Sequence, residues 1–173
     1  MDIREKAARM KAVSPFMSAA SEDMRNQALQ AIADAIEREK PRIIEENLRD
    51  LEAAEEKGIP APVLKRLKFG EEKIGEVLAG IAELTGLADP LNKITLDREL
   101  DAGLRLCRQT CAIGVIGVIF EARPDAMVQV ASLCIKSGNC AMLKGGSEAK
   151  RTNRKLFDVI YGAALSAGLP EGC

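Results

Sequence analysis

A chain of 173 residues, 47% apolar and 29% charged, is not a disordered polymer; it holds enough apolar material for one real core or for parts of two. Its net charge of −1 argues against nucleic acid or an acidic membrane as the main partner, because both need a clustered basic excess. It has no histidine, which excludes a Ser-His-Asp triad, an imidazole general base and imidazole zinc ligands within this chain, and five cysteines with no C-x-x-C pair suggest neither a disulfide scaffold nor a metal ribbon.

The first residues, Met1 to Val13, are charged and amphipathic and lack an apolar signal core; no run approaches the length of a membrane span. A soluble, unexported protein of a reducing cytoplasm is expected. The first half then reads as helix after helix. Ser21 caps a helix with Glu22 and Asp23 in its first turn and Leu29, Ile32, Ala33 and Ile36 on one face. Pro41 is expected to interrupt it and to begin a second helix that runs to about Lys57, before "GIPAP". After a short segment around Val63 to Leu67, the residues Ile74, Val77, Leu78, Ile81 and Leu84 mark another amphipathic helix, closed near Gly86 and Pro90.

The character changes near residue 90. Apolar and polar residues alternate from Leu104 to Arg108, as in an antiparallel or edge strand, and "CAIGVIGVIF" is a β-branched run suited to a strand buried on both faces. In the "EARPD" turn Pro124 is placed to begin a helix, roughly Asp125 to Lys136, that stops at "SGN". A short apolar strand, Cys140 to Leu143, ends at Lys144. Gly145 and Gly146 follow, free to turn at positive φ or to allow close approach of a ligand, with Ser147 as a candidate N-cap and Glu148 in the first turn of a helix reaching Ala167. Gly168 caps that helix and Pro170 follows.

Strand, helix, strand, helix from Ile113 to Ala167 is the repeating unit of a parallel α/β sheet, and helix N-terminal amides at the carboxyl ends of such strands are where nucleotides bind. Two parallel strands cannot bury both faces. The chain is therefore expected to be a fragment cut within its nucleotide-binding domain, or to need a partner to complete the sheet. The strict fingerprints are absent. Gly114 and Gly117 lie inside the apolar run, so there is no G-x-G-x-x-G, and "LKGGSE" is not a G-x-x-x-x-G-K-[ST] loop.

"AIGVIGVIFEARPDAMVQVASLCIKSGNCAMLKGGSEAKRTN" followed by "AGLPEG" resembles the cofactor-binding region of the aldehyde dehydrogenase superfamily. The forms "FEARP" and "LKGGSEA", with "NLRDLEAAEEKG" and "DREL…GL" upstream, are similar to one branch of it, the γ-glutamyl phosphate reductase family. The resemblance covers essentially the whole chain as an N-terminal portion. It implies an aldehyde-dehydrogenase-like, Rossmann-type parallel sheet, truncated, behind an α-helical N-terminal region (residues 1–100) and an antiparallel oligomerisation strand, with the dinucleotide-binding α/β part in residues 101–173.

The implied reaction is NADPH-dependent reduction of L-glutamyl 5-phosphate to L-glutamate 5-semialdehyde with release of phosphate, in proline biosynthesis from glutamate. Cofactor contacts would come from Lys144, Gly145, Gly146, Ser147 and Glu148, with Lys144 and Glu148 toward the adenosine ribose. No catalytic residue is expected here, because the family's nucleophilic cysteine lies beyond Cys173, and the isolated chain should be inactive. Ala122 stands where many aldehyde dehydrogenases carry an asparagine that stabilises the oxyanion. Homo-oligomerisation through the strand near Leu104 and contact with glutamate 5-kinase are implied; nucleic acid, membrane and metal are not. Two other readings compete: a non-catalytic oligomerisation module, and an acyl-reducing relative with another substrate.

Each residue also has a plainer role open to it. Lys144 would be a solvated lysine at a strand end, Glu148 would answer only the helix dipole, and Lys150, Arg151, Arg154 and Lys155 would form a solvated face rather than meet a 2′-phosphate. Arg123 would grip a phosphate or carboxylate, or pair with Glu121 or Asp125. Cys107, Cys134 and Cys140 read as small core residues.

Overall fold

The computed structural model describes residues 2–173; Met1 lies outside them. Helix α1 (Ile3–Ala19) opens on Asp2, whose carboxylate accepts from the Ile3 amide at 2.6 Å while Glu5 reaches back to the Asp2 amide, a reciprocal cap. The long α2 (Glu22–Glu56) begins at Ser21, whose hydroxyl accepts from the Met24 amide at 3.2 Å. Then come α3 (Ala61–Leu67) and α4 (Glu71–Gly86). Strands β1 (Ile94–Asp101) and β2 (Leu104–Gln109) form an antiparallel ribbon, and β3 (Val115–Ile119), α5 (Pro124–Lys136), β4 (Cys140–Lys144), a 3₁₀ turn (Ser147–Ala149) and α6 (Lys150–Ser166) complete the chain.

Pro41 does not end its helix; α2 runs through it. A proline inside a helix costs about 3 kcal/mol, for one lost hydrogen bond and a clash with the preceding turn. Against that, Ile32, Ile36 and Ile43 lie on one stripe and are wholly buried, each contributing about 1.5–3 kcal/mol. Breaking the helix at Pro41 would swing Ile43 off the stripe, so packing prevails. That stripe, with Leu29, meets Phe69, Ile74, Val128 and Leu156 from the neighbouring elements in one core.

The β1–β2 ribbon stands away from this core, every residue of both strands exposed. Leu104 to Arg108 is a strand as expected, but its partner β1 was not foreseen: "KITLDRELD" has charges on both faces and no buried side to betray it. Residues Ala102 and Gly103 close the hairpin, Gly103 at φ +77°.

Strands β3 and β4 pair in parallel from Val115↔Cys140 to Ile119↔Lys144. The expectation that β3 is buried on both faces is corrected: Gly117 and Ile119 are exposed, because the described sheet holds only these two strands. Helix α5 starts at Pro124, and Gly168 ends α6 at φ +90°, its amide donating to Leu165 O at 2.9 Å.

The cysteines depart from expectation in two ways. Cys140, on β4, is joined to Cys173 by a disulfide with Cα atoms 4.6 Å apart, and Cys107 is exposed on the ribbon rather than packed in a core. A spacing argument along the chain misses a pair brought together by the fold of α6 back onto the sheet. Cys134 is buried as expected, and burial pushes its thiol pKa up.

Candidate functional site

The carboxyl ends of β3 and β4 lie side by side, and the expected site residues sit there. The Phe120 amide donates to Lys144 O at 3.1 Å, extending the ladder one residue into both loops. Lys144 is exposed at the tip of β4, and its ammonium enters none of the ion pairs among the described residues. A cation left free at a strand end is available to an anion or to a hydroxyl acceptor.

The two glycines act differently from the first expectation. Neither takes a positive φ, and Gly146 is extended at φ −68°, ψ 161°. What they supply is close approach. A Cβ on Gly145 would overlap the Asn153 side-chain amide and press on Phe120, and one on Gly146 would overlap the Glu148 carboxylate. Gly145 and Gly146 are thus filled from within the protein, and Ser147 is exposed beside them.

Ser147 does not cap a helix. The 3₁₀ turn and α6 both lack a local side-chain cap, and the acceptor arrives from α2: Asp50, buried, accepts from the Arg151 amide at 3.2 Å, the Thr152 amide at 2.8 Å and the Thr152 hydroxyl at 2.8 Å. Asn47, one turn earlier on α2, donates to Thr152 Oγ1 at 3.2 Å and to Leu67 O at 3.0 Å, and accepts from the Phe69 amide at 2.7 Å. Two N-terminal amides of α6, those of Arg151 and Thr152, are therefore satisfied by a protein carboxylate. An anion at this helix start is already present and is Asp50, which removes the usual reason to seat a phosphate there.

Glu148 is half-buried and turns inward, Oε1 accepting from the Ala122 amide at 2.6 Å. Arg123 pairs with Asp125 at 2.8 Å and not with Glu121; this bond and the field of Asp125 hold the guanidinium pKa above its usual value. Half of the Arg123 side chain remains exposed, so the pairing leaves it accessible to solvent. Of the basic residues on α6, Lys155 pairs with Glu39 of α2 at 2.6 Å, and Arg154 pairs with Asp158 at 3.2 Å and lies over the Phe157 ring; Lys150 and Arg151 point to solvent. A cleft of about 630 Å³ between α2 and α6 is lined by Ala31, Ala35, Glu39, Lys155 and Gly162 among others, and by none of Lys144 to Glu148 nor by Arg123.

Sequence reasoning missed Asp50, Asn153 and the Ala122–Glu148 bond. The local reading offered Ser147 as the cap of this helix, and nothing along the chain pointed to Asp50, 102 residues before Thr152. Among the described residues no cluster of three or more acidic or cysteine side chains suits a metal, and no helix is long and apolar enough to cross a membrane. Cys107 is held by Asp97, whose hydrogen bond pushes the thiol pKa up, and is poorly suited to act as a thiolate.

The architecture matches solved enzymes of one class. A probable aldehyde dehydrogenase of Listeria monocytogenes superposes with a TM-score of 0.72 at 16% identity, over 98% of this chain and 34% of its own; the fold is aldehyde-dehydrogenase-like. The γ-glutamyl phosphate reductase of Thermotoga maritima superposes with a TM-score of 0.95 at 30% identity, over 99% of this chain and 42% of its own. The γ-glutamyl phosphate reductase of Ruminiclostridium cellulolyticum is 52% identical over 172 residues, 99% of this chain and 40% of the relative. The chain is thus similar to the γ-glutamyl phosphate reductases over nearly its whole length, while spanning about two-fifths of the length of the curated relatives it matches. No family model matches the chain.

Proposed function

We propose that this chain is the coenzyme-side portion of an oxidoreductase that reduces L-glutamyl 5-phosphate to L-glutamate 5-semialdehyde with release of phosphate, in proline biosynthesis, using NADPH. Residues 1–100 form the helical support and 101–173 the dinucleotide-binding part. The observation that carries the reading is Lys144, an unpaired ammonium at the carboxyl end of a parallel strand, in a chain half identical to enzymes named for this reaction.

The residues present fit an adenosine ribose. Lys144 supplies a donor, the second carboxylate oxygen of Glu148 supplies an acceptor, and Gly145, Gly146 and Ser147 shape the turn between them. When bound, the coenzyme supplies hydride to an acyl group. The chain's own part is to hold and orient the adenosine end. The Arg151 and Thr152 amides at the start of α6, taken by Asp50, lend no support to a phosphate there, so the pyrophosphate belongs elsewhere.

Lys144→Gln is expected to weaken NADPH binding to the 173-residue chain about tenfold, the equivalent of about 1.4 kcal/mol, measured by the change in NADPH fluorescence on titration. Equal affinity in the two proteins would remove the basis of the reading. The chain is expected to show no acyl-phosphate reduction by itself, since none of its cysteines matches the family's nucleophile.

The exposed ribbon favours self-association as well. Ile94, Leu100 and Leu104 are each more than half exposed and Leu96 and Leu106 more than a third, on an edge that no other strand covers. Leu104→Asp with Leu106→Asp is expected to shift the sedimentation distribution to monomer at concentrations where the unaltered chain associates. A chain that is monomeric before and after the change would dispose of the ribbon as an interface.

A further inference from the structure

Ala122 is one of two non-glycine residues among those described with a left-handed backbone, at φ 47°, and it is almost fully buried at 3% exposure. Alanine has no local reason to adopt that conformation, since its Cβ crowds the following carbonyl. The residue is held there from outside. Glu148, on the other loop, turns its carboxylate back across Gly146 and accepts from the Ala122 amide at 2.6 Å. That path exists only because position 146 lacks a Cβ, and position 145 is likewise closed by Asn153 and Phe120. The glycine pair that suggested a ligand therefore makes room for an internal bond between the β3–α5 turn and the β4 loop.

We propose that Glu148 is a positioning residue which couples the two loops: it holds residues 120–123 closed against the tip of β4, so that a nucleotide on Lys144 also sets the turn carrying Ala122 and Arg123. This rests on the assignment of Lys144 to the coenzyme. One carboxylate oxygen serves Ala122, and the other, without a partner among the described hydrogen bonds, lies against Gly146, two residues after Lys144. A group that binds the second oxygen acts directly on the bond made by the first. Arg123 lies next in sequence to the held residue, with its pairing to Asp125 partly open to water.

The test is amide hydrogen exchange and NMR on the isotopically labelled 173-residue chain. In Glu148→Ala the residue-122 amide is expected to exchange at least tenfold faster, with α5 and α6 amides unchanged; in Glu148→Gln, which keeps an acceptor oxygen, protection should return most of the way. Should E148A fail to fold, the A122G/E148A pair compared with A122G carries the same test, since glycine takes the left-handed backbone freely. Unchanged exchange at residue 122, or equal acceleration throughout α5 and α6, overturns the proposal.

NADP⁺ added at millimolar concentration is expected to move the resonances of Lys144 to Ser147 together with those of Ala122 and Arg123. If the first group moves and the second does not, the coupling is wrong and the coenzyme assignment survives. If neither moves, the coenzyme assignment fails and the coupling fails with it.

Discussion

Arg25→Ala is expected to destabilise the chain by about 3–5 kcal/mol, the cost of breaking a buried ionic cluster by deleting one member. Arg25 is 1% exposed on α2. Its guanidinium donates to Ala20 O at 3.2 Å, to Ser21 O at 3.3 Å, to Lys136 O, and to Asp89 Oδ2 at 2.7 Å. One side chain thus closes the end of α1, the start of α2, the end of α5 and the segment after α4. Nearby, the buried Lys136 ammonium donates to Asn26 at 2.9 Å and to Thr85 O at 3.2 Å and pairs with Glu22. Deleting Arg25 leaves a cavity, an unanswered carbonyl and an unpaired Asp89. Arg25→Met should recover part of the loss by refilling the space, as read from urea denaturation. A cost under about 1 kcal/mol for the alanine variant would contradict the assignment.

The same cluster sets an acid limit. Partial burial would raise the Asp89 carboxyl, but the hydrogen bond from Arg25, the amide of Leu91 and the fields of Arg25 and Lys136 together hold its pKa below the ordinary value. A carboxyl depressed in the folded state contributes stability that is present above the unfolded pKa of about 3.9 and is lost as pH falls through the lower folded value. Stability should therefore drop on acidification below about pH 4, and Asp89→Asn should flatten that drop while lowering stability at neutral pH. An identical acid profile for the variant would assign the sensitivity to other carboxylates.

Asp50→Ala is expected to cost about 2–4 kcal/mol, combining a lost helix cap of about 1 kcal/mol with a buried hydroxyl left without its acceptor. Three bonds end on this carboxylate. Asp50→Asn keeps one acceptor oxygen and should lose less. Because Thr152 is the shared partner, Asp50→Ala combined with Thr152→Val should cost less than the two single changes added together, a coupling measurable by the same denaturation. Additive costs would mean that Asp50 acts through something other than the Thr152 hydroxyl. The expected loss comes with fraying of the first turn of α6, directly after the loop that carries Glu148.

Much of the fold was legible along the chain because its signals are local. Ser21 with two acids after it marks a helix start, Pro124 marks another, Gly168 marks an end, and the apolar stripes repeat at helical spacing. The strand–helix–strand–helix order from β3 to α6 likewise follows from a change of period and from glycine and proline at the joints. Strand β1 was not legible, since an exposed ribbon strand has no buried face to leave a pattern. Helix α2 was misread at Pro41 because a local breaker was outweighed by the burial of Ile43, which only the assembled core reveals.

For the candidate site the division is sharper. By itself the amino-acid order determined that Lys144 ends a strand, that two glycines and an acid follow, and that the family pattern continues through "FEARP" and "LKGGSEA". Only the tertiary structure decided what those residues touch: Asp50 takes the α6 amides, Glu148 holds Ala122, Asn153 fills the space over Gly145, and Cys140 meets Cys173. Periodicity and turn chemistry act between neighbours in the chain and can be read there. Hydrogen-bond partners about a hundred residues apart, as Asp50 and Thr152 are, meet only after the core has set the helices side by side, and nothing in either residue's local surroundings encodes the other.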